Sequence, residues 1–354
     1  MRFLSLVLAS AAFVIAAVCG SPMMRQEEES STCTLTGTYT SGTDVSSCST
    51  VTIKSLTVPA GVTLDLSDLK SGASIVFSGT TTFGEKVEMV GSSRSPNGTV
   101  SGSGTLDGQG AWYWKQGTSI TRPVFFRMSK VLSSTVKGFT IKNSPYRTFS
   151  ILNSQSTTIS GLTLDSSAGD GTAKNTDGFD LSGNTGVTIS GNTIYNQDDC
   201  LAMQSSTNTV FSSNTCSGGH GISIGSSVSS SDTVSGLTVK NNKIIDSVNG
   251  IRIKTIIDNY GEVTDVTYTD NTLLNVENAI VIHGDYSKSE GGYTGSATSK
   301  VTITDITIDG LTGSADQVYD ILVDSDVVSG WTFSGIDVSG DTGSCSGEPS
   351  GVSC

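Results

Sequence analysis

Between Asn175 and Lys254, four short segments carry three carboxylates, one imidazole and two fixed cations. They are Asn175-Thr176-Asp177, Asn196-Gln197-Asp198-Asp199-Cys200, Gly219-His220-Gly221 and Arg252-Ile253-Lys254. Carboxylates held close together cannot all ionise freely. Repulsion raises the pKa of at least one and makes it a candidate general acid, while the others stay charged and activate water. Glycoside hydrolysis divides its labour in this way. The cations suit a substrate that carries carboxylates, Arg252 through a forked contact and Lys254 as a point charge.

Taken singly, each segment has a plainer reading. Asp-Asp near Asn and Gly is commonly a polar turn, and Arg-x-Lys on a strand is usually a solvated face. A His between glycines is usually structural, and His283, off this strip, is read that way. What raises the four segments above that reading is their spacing. Asp177 to Asp198 is 21 residues, Asp198 to His220 is 22, and His220 to Arg252 is 32. A chain wound into coils of about that length stacks these residues into one column.

The surrounding sequence supports a coil. The phrase Val136-Lys-Gly-Phe-Thr-Ile141 returns at 159–164, 189–194, 211–216, 234–239, 268–273 and 303–308, with its Thr at 140, 163, 193, 215, 238, 272 and 307. A base step of 22 to 23 residues with insertions marks a solenoid. Each copy alternates apolar and polar residues for about five positions, which is a strand period. The expected fold is all-β: a right-handed parallel β-helix in a single domain. Residues 255–264 and 285–297 are expected to leave the stack as loops. On a strand, Arg252 and Lys254 share a face and Ile253 points inward. For Asp198 and Asp199 to line one wall, the backbone must bend there.

Composition agrees. Only 15% of the 354 residues are charged, against 41 glycines, so a helical bundle is excluded. Net charge is −13, which argues against a nucleic-acid surface and means that cations facing an anionic ligand must be placed locally. Arg2 followed by the apolar run 3–18 reads as a secretory signal over residues 1–20. Residues 21–31, with Glu27, Glu28 and Glu29, read as a pro-segment or disordered tail, and 32–354 as the catalytic domain. No second apolar run follows, so the expected product is a secreted, extracellular monomer with no membrane anchor. Six cysteines remain after cleavage and fall into three local pairs: Cys33 with Cys48, Cys200 with Cys216, Cys345 with Cys354. With so little His, a metal site is the weaker reading, and no cofactor is expected. Asn97-Gly98-Thr99 is a glycan sequon.

Asn-Thr-Asp-Gly-Phe-Asp (175–180), Asn-Gln-Asp-Asp-Cys (196–200), Gly-His-Gly (219–221) and Ile-Arg-Ile-Lys-Thr (251–255) resemble, in order and spacing, the four signature segments of the polygalacturonases, glycoside hydrolase family 28. The resemblance implies inverting hydrolysis of α-1,4-galacturonan in pectin. It implies Asp198 as proton donor, Asp177 and Asp199 as holders of the attacking water, and His220 beside the acid. Arg252, Lys254 and Tyr286 would bind galacturonate. An inverting pair is expected about 6.5–9.5 Å apart. Members often carry a further disulfide near the C-terminus, and no cysteines remain for it here. A pectate lyase would share the β-helix but eliminate with Ca²⁺ and an Arg base. A non-catalytic pectin-binding protein would release no reducing ends.

Overall fold

The computed structural model describes residues 31–85, 97–117, 119–225 and 232–354. The expected signal at 1–20, and all but the last residue of the expected pro-segment, lie outside the described residues. The described chain winds as a parallel β-helix. Strand pairs are parallel throughout, apart from one small hairpin between Tyr286 and Tyr293.

The coil is held by ladders of like side chains. One inward column runs Val51, Ile75, Val100, Val136, Ile159, Ile189, Phe211, Val239, Tyr268, Ile308 and Phe333 through successive strand pairs. Short strands of alternating Thr and β-branched residues put one apolar side chain per strand inside. Burying each large one contributes about 1.5–3 kcal/mol. Phe126, Phe149 and Phe179 stack on successive coils, with centroids 4.9 and 5.2 Å apart. Asn192, Asn214, Asn242 and Asn271 form a buried ladder in which each amide donates to the next carbonyl oxygen, at 2.9, 3.2 and 2.9 Å.

The repeated phrase occupies two corners of the coil, not one. Thr140, Thr163, Thr193 and Thr215 share a column that continues through Lys243 to Thr272. Thr238 and Thr307 instead belong to the preceding sheet, with Val210 and Thr267. Both corners require a left-handed residue, Gly161 (φ +61°) at one and Gly236 (φ +68°) at the other, so both select the same local sequence. The single-phase repeat expected from the sequence is therefore two interleaved repeats.

Residues 255–264 do not form the expected loop. Asn249–Ile256 and Tyr260–Thr269 are strands of the stack, and the excursion is confined to 257–259. The expected loop at 285–297 does leave it, as the Tyr286–Tyr293 hairpin. The three cysteine pairs form as expected, two of them near the ends of the described helix. Asn97 is exposed in a turn, its N–H donating to Leu132 O at 2.8 Å.

Candidate active site

The signature residues meet on one sheet. Phe149–Leu152, Phe179–Thr185, Leu201–Ser212, Ile222–Gly225 and Asn249–Ile256 pair in sequence order. Just before each strand, the chain enters the sheet through an irregular segment. There, Gly178 N–H donates to Asp199 O at 2.9 Å, Cys200 N–H to Gly221 O at 2.8 Å, and His220 N–H to Asp198 O at 2.8 Å. Asp177, Asp199 and His220 are thus stacked on three consecutive coils.

The bend at Asp198-Asp199 is built by neighbouring side chains. The Asn196 amide donates to Asp198 O and Asp199 O, at 2.8 and 3.1 Å. The Thr176 hydroxyl accepts from Gln197 N–H at 2.8 Å and donates to Gln197 Oε1 at 2.8 Å. The Cys200–Cys216 bridge ties the segment to the next coil. Gly219 is enforced by space, because a Cβ there would lie 2.2 Å from Asp198 O. Asp198 and Asp199 therefore both face the cleft, as the sequence required.

Asp198 pairs with His220 through Oδ1 and Nδ1 at 3.1 Å. Its Oδ1 also accepts from Asp199 N–H at 2.8 Å, and its Oδ2 accepts from the Asn175 amide at 3.1 Å. Burial alone would raise this carboxyl, but His220, Asp199 N–H and the Lys254 charge outweigh it and hold Asp198 well below the usual range. The raised carboxyls are elsewhere. Asp177 is driven well up by burial and by Asp180, Asp198 and Asp199, against the Arg147 charge. Burial pushes Asp180 up to about 7, against Arg147 at 3.5 Å. Mutual repulsion does raise a carboxyl here, as the composition of the site required, but not that of Asp198 in the unliganded protein.

Both cations bond Asp199. Arg252 Nη2 donates to its Oδ1 and Lys254 Nζ to its Oδ2 at 3.2 Å. Ser223 bridges the first pair, accepting from Arg252 Nε at 2.9 Å and donating to Asp199 at 2.7 Å. Arg252 lies in register with Ser223, three positions past His220 along the coil, and its long side chain reaches back. Ile253 is fully buried, as alternation required. The Lys254 ammonium sits 5.4 Å from the Tyr286 ring centroid. His283 is not off the strip. It lies in register with Lys254 one coil on, between Asp285 (2.8 Å) and Asp320 (3.0 Å).

These groups line a cleft of about 720 Å³ that includes Asp177, Asp198, Asp199, His220, Arg252, Lys254 and Tyr286. Ligand-capable atoms of Asp198, Asp199 and His220 lie within 4.8 Å of one another. A divalent cation placed there would meet two cations already on Asp199, which is poor chemistry for a Ca²⁺-dependent lyase.

The profile described as glycosyl hydrolases family 28 matches residues 48–354. The chain belongs to this family. It is similar to endopolygalacturonase B of Emericella nidulans, 42% identical with all of both chains covered. Among solved structures, endopolygalacturonase I of Stereum purpureum, complexed with two galacturonates, is 31% identical with a TM-score of 0.69, covering 87% of this chain and 96% of that one. An endo-xylogalacturonan hydrolase of Aspergillus tubingensis is 26% identical with a TM-score of 0.76, covering 92% and 98%.

As a family 28 glycoside hydrolase, the chain brings together every residue its signature segments nominated. Sequence reasoning missed four others around them. Asp180 and Arg147 form an ion pair beside Asp177. Arg122 donates to Asn175 Oδ1 at 2.8 Å and to Lys174 O, and Ser223 bridges Arg252 to Asp199. Asp180 was within reach of pattern reading, since it falls between the inward Phe179 and Leu181. Arg122, Arg147 and Ser223 belong to no motif.

Proposed function

We propose that this chain is a secreted, monomeric endo-polygalacturonase that hydrolyses α-1,4-galacturonosidic bonds of pectin with inversion, and that Asn97 carries a glycan. The observation that carries this reading is local charge. An acidic protein lines one cleft with Arg252, Lys254, Arg147 and His220 around three carboxylates. Such a cleft fits an anionic polysaccharide and has the groups to cleave it.

In this reading Asp198 gives its proton to the leaving glycosidic oxygen. An anionic sugar bound beside Asp198 raises the proton affinity of this carboxyl, against the groups that hold it low in the unliganded protein. Asp177 Oδ1 is buried and has no hydrogen-bond partner among the described residues, so it can hold a water. Asp199, bonded by Arg252 and Lys254, takes up the proton of that water as it attacks the anomeric carbon. Arg252, Lys254 and Tyr286 turn their remaining faces to galacturonate. Inversion rests on the family resemblance.

The test uses the purified mature protein with polygalacturonic acid in EDTA, and again with Ca²⁺, following reducing ends and the absorbance of unsaturated product together. Reducing ends in EDTA without absorbance support a hydrolase, and oligomer sizes separate endo from exo action. Absorbance that needs Ca²⁺ would make the chain a lyase. Proton NMR of the first-formed reducing ends reads inversion directly.

A further inference from the structure

We propose that Lys174 and Lys288 are the outer carboxylate-binding residues of the cleft and set its preference for unesterified galacturonan. The proposal rests on the polygalacturonase reading above and deepens it.

The cations on the cleft floor are already committed. Arg252 and Lys254 are bonded to Asp199, and Arg147 to Asp180. Each can give an anionic sugar only what its carboxylate leaves over. Two further cleft-lining cations, Lys174 and Lys288, are exposed and form no ion pair among the described residues. Lys174 holds its backbone carbonyl against Arg122 and leaves its ammonium to solvent. Lys288 sits at the tip of the Tyr286–Tyr293 hairpin, with Glu290 as the nearby acidic residue of that turn.

Their positions suit a polymer. Lys174 precedes the coil of Asp177, and Lys288 follows the coil of His283. Those coils are four strand pairings apart, or about 19 Å along the axis at about 4.8 Å per strand. The Asp198–His220 pair lies between them. A chain threaded through the cleft therefore meets a free cation on each side of the bond to be cleaved. On a protein of net charge −13, these two local charges oppose a repulsive background. A methyl ester removes the negative charge they would meet.

The test compares wild type with Lys174→Gln, Lys288→Gln and the double variant, and with Lys240→Gln, an exposed lysine that does not line the cleft, as control. Initial rates are measured on polygalacturonate and on highly methyl-esterified pectin, at low and high salt. The double variant is expected to raise KM on polygalacturonate about threefold to tenfold at low salt. The rise should shrink as salt screens the charges and be absent on esterified pectin. Lys174→Arg with Lys288→Arg should restore the wild-type KM. An unchanged KM and salt dependence in the double variant would overturn the lysine assignment, as would an equal rise on esterified pectin. A wild-type protein that releases no reducing ends from polygalacturonate would overturn the functional reading itself, which keeps the two failures apart.

Discussion

Arg252 and Asp199, 53 residues apart in sequence, form a buried ion pair bridged by the Ser223 hydroxyl. The pair ties three coils together: Asp199 on the first, Ser223 on the second, Arg252 on the third. Lys254 still bonds Asp199 when Arg252 is removed, so the cost falls short of the about 3–5 kcal/mol of a buried charge left wholly unpaired. Arg252→Ala should therefore lose about 1–3 kcal/mol in urea unfolding, the cost of buried polar groups left without their partner, besides losing activity. Arg252→Lys keeps a cation beside Asp199 and should recover part of the stability. An alanine variant of wild-type stability would mean that Lys254 alone suffices to hold Asp199 and that the Arg252 bridge adds nothing to the three coils.

Asp198 is the carboxyl shared by His220, Asp199 N–H and Asn175. Asp198→Asn keeps the shape but removes the transferable proton. Turnover should fall by about 10²–10⁴-fold, while oligogalacturonide binding by calorimetry and the far-UV circular dichroism stay as in wild type. Turnover near the wild-type rate would remove Asp198 from the donor role.

Arg122 controls which way the Asn175 amide faces. A guanidinium can only donate, so Asn175 Oδ1 must face Arg122, and its NH₂ must face Asp198. Arg122→Met releases that constraint. We expect kcat to fall about tenfold and KM to move less, with the high-pH limb of the rate profile shifted upward, because the ionised form of Asp198 loses a donor. An unchanged pH profile would reduce Arg122 to packing against Tyr146, 4.8 Å away.

The coil made the site legible in the sequence. A solenoid turns a spacing of 21 or 22 residues into adjacency, so Asp177, Asp198 and His220 could be placed together before any coordinates. Alternation gave the inward Ile253 and the outward Arg252 and Lys254. The cations' partner was not legible. Arg252 reaches Asp199 only because its side chain runs back across Ser223, and side-chain reach leaves no periodic trace. The same holds for Arg122, whose contact with Asn175 spans 53 residues outside the coil repeat. The two-corner origin of the repeated phrase was hidden because both corners select the same left-handed residue.

Asp180 gives a stability prediction with a definite sign. Its folded pKa of about 7 lies above the ordinary value of 3.8, so the folded state binds a proton that the unfolded chain has released. The contribution is fully present below about pH 4 and is lost as pH rises toward 7. Asp180→Asn removes this titration. Its melting temperature should change less than that of wild type between pH 4.5 and pH 7.5, with Asp177 supplying what slope remains. An identical slope would mean that Asp180 is ionised throughout, held by Arg147.

The Asn ladder tests what holds the coils beneath the site. Asn214 sits inside the helix. Its Oδ1 accepts from Asn192, and its amide donates to Asn242 Oδ1 and to Ile189 O at 3.1 Å. No water-filled space replaces these partners, because Asn214 is 1% exposed. Asn214→Ala removes the acceptor of two Asn192 donors, its amide and its backbone N–H, and the donor to Ile189 O, while Asn242 Oδ1 keeps the Asn214 N–H; a buried unpaired group costs about 1–3 kcal/mol. A loss of roughly 2–5 kcal/mol in urea unfolding is expected, larger than for an exposed Thr such as Thr193→Ala on the neighbouring strand. Asn214→Asp should be worse still, since it supplies two acceptors where the ladder needs a donor. If Asn214→Ala cost no more than Thr193→Ala, stacking of the apolar columns alone would hold the coils, and the Asn ladder would be a passenger.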